Sequence, residues 1–408
     1  MSKSISIIIF SLLFYAGVVF GQEDTDSTSF LESNVIPLAG KKGFSFQTRS
    51  GDFLLKPYVL VQTKAQFNYF DDEGLDLDEV DNFQNIGFGI PYAMIGFSGK
   101  AFERLTFNLA LNSAAGGAAI VNQAWFDINL KESLRIRVGK FKTPFNQAIL
   151  VRLGETLFPV LPSSISTRVN LPFDINSVNP VIATGFDIGV QVHGLLASTW
   201  EYRVGIFNGT GIEVNGPTNS MSDDLGIPSL LYSARLAYMP YGPMPAHQGS
   251  SDDLDNNKLL IAASSSYYPE ANYESSNDFR AGLEFAYLYN LLYITAEAYI
   301  FNMDFTERQK TSPDYLFWGG YAQGGYFITN KVQPVVRFEL FDRNSTKEDG
   351  ILYIPSVGLN YYFFSYNLKL QVMYQMLRKS GHKDDFSADD DDNGMPEHMA
   401  QLMLQFSF

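Results

Sequence analysis

The chemistry available to this chain rests on its cations. Lys64, Arg135, Arg137, Arg203, Arg235, Arg280, Arg337 and Lys369 each stand on the polar side of a segment in which apolar and polar residues alternate. A column of guanidinium and ammonium groups along one face offers charge-assisted, bidentate sites to an oxyanion, which can pass from one to the next. Asp187, Glu201, Glu284, Glu297 and Glu339 share that face by the same parity. A second arrangement is therefore open, in which the charges pair and merely hydrate the surface they line. Lys140 and Lys142 break the parity: either they sit at an outer rim, or a bulge near Gly139 turns them inward. Arg152 and Arg168 lie in 143–183, an apolar segment with five prolines. Such a segment should not stand in water. It either folds inward as a constriction with these two arginines on its charged edge, or packs between subunits.

Other chemistries find no footing. With no cysteine there is no disulfide scaffold, thiol nucleophile or Cys-based zinc site. His193, His247, His382 and His398 lie in separate segments, none in an HExxH or beside a GxSxG. His398 has no assignable serine partner for a rim lipase. Asp389–Gly394 loosely resembles a calcium loop but lacks the spaced ligands and closing Glu, so it reads as a solvated acidic run. Gly319-Gly320 and Gly324-Gly325 fit close packing or curvature in a strand better than a phosphate loop. The expectation is a chain that is not an enzyme and has no metal or cofactor.

The elements that position the cations have period two. Val59, Val61, Ala65, Phe67 and Tyr69 alternate with Gln62, Lys64, Gln66 and Asn68; Leu368, Leu370, Val372, Tyr374 and Met376 alternate with Lys369, Gln371, Met373 and Gln375. Such runs are about 8–11 residues, the length of tilted membrane strands rather than the roughly 5–6 of soluble ones. Sixteen are expected, near 53–69, 90–98, 104–112, 120–130, 134–142, 184–195, 200–208, 229–239, 258–268, 278–288, 292–304, 314–328, 332–342, 351–363, 367–378 and 397–408. Even connections are short and odd ones, such as 70–89, 143–183, 209–228 and 379–396, are long; only 240–257 breaks the rule. Tyrosine and phenylalanine cluster at strand ends, as at Tyr361–Phe364, in the manner of interfacial girdles. Together these predict an all-β, sixteen-stranded antiparallel transmembrane β-barrel of the outer membrane, with lipid on its apolar face and a wet interior.

Met1-Ser2-Lys3, the apolar run Ile7–Phe20 and small Gly21 predict a cleaved signal peptide over 1–21. Residues 22–50 are then an N-terminal periplasmic segment and 51–408 the barrel, with 143–183 folded inward. Aromatic content of 15%, 33 glycines and only 18% charged residues suit this architecture. A net charge of −15 excludes nucleic acid as a partner.

Four stretches resemble the phosphate-selective porin O and P family: Ser50–Pro57, Gly96–Lys100, Arg137–Phe145, and Gly189–Val192 followed by Gly205–Gly209. The resemblance runs over roughly 45–408 and is best between 45 and 210. It implies an outer-membrane barrel, usually a homotrimer, that passes small inorganic anions such as phosphate past Arg and Lys lining the pore and past inward loops. The expected function is a passive anion channel; the alternatives are a general non-selective porin, or a barrel plugged by 143–183 that serves as anchor or receptor. The acidity does not decide. Seventeen of the 44 acids fall in Asp71–Asp81, Ser251–Asp255 and Asp384–Glu397, leaving 27 against 29 Lys plus Arg.

Overall fold

The computed structural model describes residues 35–40, 43–71, 82–164, 185–209, 215–216, 229–253, 256–271, 276–305, 315–342, 345, 351–380 and 398–408. The expected signal peptide, Arg168, the acidic run 384–397 and nearly all of the run 71–81 lie outside the described residues.

The chain forms one antiparallel sheet that closes on itself. A hairpin of β1 (Val35–Gly40) and β2 (Gly43–Thr48) precedes the barrel, which runs through β3 (Phe53–Asp71), β4 (Asn82–Ala101), β5 (Leu105–Asn112), β6 (Val121–Lys131), β7 (Leu134–Lys142), β8 (Phe186–Leu196) and β9 (Trp200–Phe207). It continues through β10 (Leu231–Tyr238), β11 (Asn257–Ala271), β12 (Ser276–Tyr289), β13 (Leu292–Phe305), β14 (Tyr315–Tyr326), β15 (Val332–Asp342), β16 (Ile351–Phe364), β17 (Leu368–Met376) with its short extension β18 (Arg378–Ser380), and β19 (His398–Ser407). Each pairs with the next, and β19 returns to β3 from Ser407↔Leu60 to His398↔Tyr69. Without the hairpin and the extension, sixteen strands make the ring, as the alternation predicts. Closure leaves no unpaired sheet edge to face hydrocarbon.

Two features depart from the expectation. The described part of 70–89, expected as a loop, is strand: Gly89–Asn82 pair with Lys64–Asp71. Its period-two signal is carried by Ile86, Phe88 and Ile90, but glycines 87 and 89 and the adjacent acids dilute it. The hairpin 35–48 was not expected as strand; Phe46↔Leu55 and Gln47↔Leu54 join it to β3 below the closure, and Phe44 stacks on Phe408.

The core is inverted relative to a soluble sheet. Along β15, Val336 and Phe338 are exposed to the outside while Arg337 and Glu339 are buried within. Apolar side chains cover the outside of the barrel and polar ones line its lumen, the distribution that suits an outer face in lipid and a wet interior. The lumen is not evenly filled. From β10 to β17 the inward side chains are buried, whereas Tyr58, Asn108, Gln123, Trp125, Arg137 and Arg203 on β3–β9 are only half-buried. The difference comes from what lies against them.

Candidate functional site: a lumen walled by cations

The described part of the β7–β8 connection, 143–164, traverses the interior along the β10–β17 wall. It leaves β7 at Thr143, whose N–H donates to Gly185 O. A single-turn helix, α1 (Gln147–Leu150), is capped by Asn146 Oδ1 on Ile149 N, and Glu297 of β13 accepts the Gln147 and Ala148 N–H at 2.9 and 2.8 Å. Tyr299 and Tyr321 donate their hydroxyls to the same carboxylate. Lower down, Lys369 Nζ donates to Thr156 O, and Asn360 Nδ2 and Gln371 Nε2 to Leu157 O. Arg337 Nη1 then holds Val160 O at 2.9 Å, and Glu339 accepts Ser164 N at 3.1 Å. Backbone polar groups that a water-filled pore would solvate are here satisfied by inward side chains.

Between this segment and the β3–β9 wall lies a cavity of about 870 Å³. Its cations are Lys56, Arg137, Lys142, Arg152 and Arg203; its acids are Glu155, Asp252 and Asp253; Tyr58, Trp125 and Phe141 supply aromatic surface. Arg137 stacks on Trp125, 4.2 Å from the ring centroid, and binds Asp127 at 2.6 Å. Arg203 grips Glu201 bidentately, Nε and Nη2 each donating to one carboxylate oxygen at 2.9 Å. Arg152 pairs with Glu155 at 3.2 Å while two thirds of its side chain stays exposed. Lys142 Nζ donates to Val151 O, tying the strand to the segment.

The other sequence-derived candidates lie elsewhere. Arg235 is buried between Glu201 and Glu284 and also donates to Gln147 Oε1. Arg280 is buried on Asp278, over Phe301. Arg337 pairs with Glu339 at 3.0 Å, and Lys369 is fully buried under Thr156. Lys64 sits on the outer half of β3, bound to Gln66 at 2.8 Å. Arg135, opposite His193, keeps a buried Nε without an acceptor. Lys140 is buried with Nζ on Asn215 Oδ1 at 2.7 Å. The register of β7 with both neighbours is unbroken at Gly139, so Lys142 reaches the cavity without a register-shifting bulge, while Lys140 binds Asn215 of the β9–β10 connection and does not line the cavity. Gly139 itself has φ +123°, and a Cβ there would fall 2.2 Å from Ala124 O.

The twelve candidates thus divide by environment. Arg137, Lys142, Arg152 and Arg203 converge on the cavity, the remaining described ones hold the wall or the inserted segment, and Arg168 lies outside the described residues. Lys56 was missed, although it shares the parity of Gln62. The Glu297 anchor was missed because its partners on the inserted segment are backbone N–H groups, which leave no residue-type signature. Among the described residues no cluster of His, Cys, Asp and Glu could hold a metal ion.

The sequence profile of a family described as phosphate-selective porin O and P matches residues 61–408. No curated protein matches the chain. Among solved structures, the outer membrane channel DcaP of Acinetobacter baumannii is 12% identical over 91% of this chain and 100% of its own, with a TM-score of 0.54. Salmonella typhi OmpF, in complex with daunomycin, is 12% identical over 88% and 98%, TM-score 0.54. The trimer form of Vibrio cholerae OmpT is 10% identical over 87% and 99%, TM-score 0.53. At such identities they establish a shared barrel fold.

Proposed function

The chain belongs to the phosphate-selective porin O and P family and is an outer-membrane channel, and from that premise we propose that it passes small anions, phosphate among them, by passive diffusion. One observation carries this: five cations, Lys56, Arg137, Lys142, Arg152 and Arg203, meet three acids on this cavity. A phosphate moving through it exchanges hydration for guanidinium and ammonium N–H donors. Pairing of Arg137 with Asp127 and of Arg203 with Glu201 moderates each well, so an anion is attracted without being trapped. Segment 143–183 serves in this reading as the constriction, with Arg152 on its edge.

The same proposal takes 1–21 as a cleaved signal peptide, 22–50 as periplasmic and 51–408 as the barrel. It takes the assembly as a homotrimer in outer-membrane lipid, as the OmpT neighbour's trimer form suggests, and assigns no catalytic step. Glu155, Asp252 and Asp253 favour a second reading, a general porin of weak selectivity. Chloride current in a planar bilayer titrated with phosphate separates the two. Graded block supports a phosphate-binding path, and current indifferent to phosphate supports the general porin.

A further inference from the structure

We propose that the connection between β10 and β11, residues 239–256, is the second half of the constriction: it rises from the periplasmic end, docks on the inserted segment and fixes the width of the path, with Gln248 as the positioning residue. It rests on the channel reading only in taking the cavity as the path.

The connection is longer than closure requires. Two to five residues join β4–β5, β6–β7, β8–β9, β12–β13, β14–β15 and β16–β17, and a hairpin needs no more. The extra length is spent inside the barrel. Arg152 N donates to Ala246 O and Gln248 N to Glu155 O, both at 2.9 Å, so a segment from the outer side and a turn from the periplasmic side share backbone hydrogen bonds in the lumen. Gln248 is buried, and its Oε1 accepts both Leu157 N at 2.8 Å and Gln323 Nε2 of β14 at 3.2 Å. One side chain therefore ties turn, inserted segment and barrel wall together. Gly249 follows with φ +84°, and its carbonyl accepts the Tyr366 hydroxyl. A side chain there would crowd Tyr293 Cβ at 3.0 Å. His247, Ser250, Asp252 and Asp253 of the turn face the cavity together with Arg152 and Glu155, so the docked turn forms the periplasmic floor beside the path.

The test replaces 241–254 by a short Gly-Ser turn in the full-length barrel and records single channels. Conductance should rise about twofold or more, because current scales with the cross-section of the narrowest stretch, and the reversal potential in a salt gradient should move toward that of free diffusion. Unchanged conductance and reversal potential in a barrel that folds overturn the proposal. Should the shortened barrel not fold, Gln248→Ala decides. Losing the acceptor for Leu157 N should give frequent upward current excursions, and Gln248→Glu, which keeps an acceptor oxygen, should suppress them; a quiet Gln248→Ala trace overturns the proposal. A silent wild type with a conducting shortened variant supports the docked turn as the constriction while refuting the reading of a channel open at rest, and silence of both overturns the proposal.

Discussion

Arg137 on β7 and Asp127 on β6 face each other in register, Nη2 2.6 Å from Oδ2, and His193 Nε2 approaches the same oxygen at 3.0 Å. The carboxylate is buried behind the guanidinium, so the cavity meets Arg137 and Trp125 rather than the acid. The pair keeps a cation at the wall while limiting how strongly it holds an anion.

Asp127→Asn should therefore strengthen phosphate block of chloride current, and Arg137→Ala should weaken it. Breaking a buried pair costs about 3–5 kcal/mol, less where one partner keeps water access as Arg137 does. Block that is the same in wild type and both variants removes Arg137 from the path.

Arg280 carries the same charge in a different place, buried on Asp278 and away from the cavity. Arg280→Ala should leave reversal potential unchanged and lower unfolding stability by about 3–5 kcal/mol, since Asp278 is left buried and unpaired. Urea titration of the barrel in detergent, beside a bilayer recording, checks both halves. A shifted reversal potential at unchanged stability would place Arg280 on the path instead of in the wall.

Glu297→Ala removes the acceptor of two backbone N–H groups and two tyrosine hydroxyls. Each unsatisfied buried donor costs about 1–3 kcal/mol, so α1 should detach. Protease cleavage within 143–164, slow in wild type, should become fast. Equal cleavage rates would show that Glu297 does not hold the segment.

In the β10–β11 connection, burial pushes the Asp253 carboxyl above the usual aspartate range, against the His247 imidazole at 3.8 Å and the Ser250 N–H; Asp252 raises it further. With a raised folded value, its stabilising contribution is present below the unfolded value of 3.8 and lost as pH rises through the folded one. Acidification should thus remove a negative charge at the floor earlier than an ordinary aspartate would, and anion preference should rise. Asp253→Asn should flatten that part of the pH profile, and a profile identical to wild type would contradict the assignment.

Much of the barrel was legible because period two and connection length both leave marks in sequence. Even the one exception to the length rule, 240–257, marks the turn that folds inward. Which cations face the path was not legible. Arg137 and Arg337 share the same parity, yet one borders the cavity and the other is buried with Glu339 beneath Val160. That difference is made by the segment 143–164, whose route is set by backbone hydrogen bonds to side chains over 100 residues away. For Lys142, beside Gly139, the alternation left an outer rim and an inward turn both open; the side chain reaches the cavity and ties to Val151 O.

The central claim, an anion-preferring path beside the inserted segment, is tested most directly by the reversal potential of the purified protein in a planar bilayer under a potassium chloride gradient. A potential displaced toward the chloride equilibrium value, and reduced in an Arg137→Ala, Arg203→Ala double variant, is predicted. A potential on the potassium side of zero would contradict it.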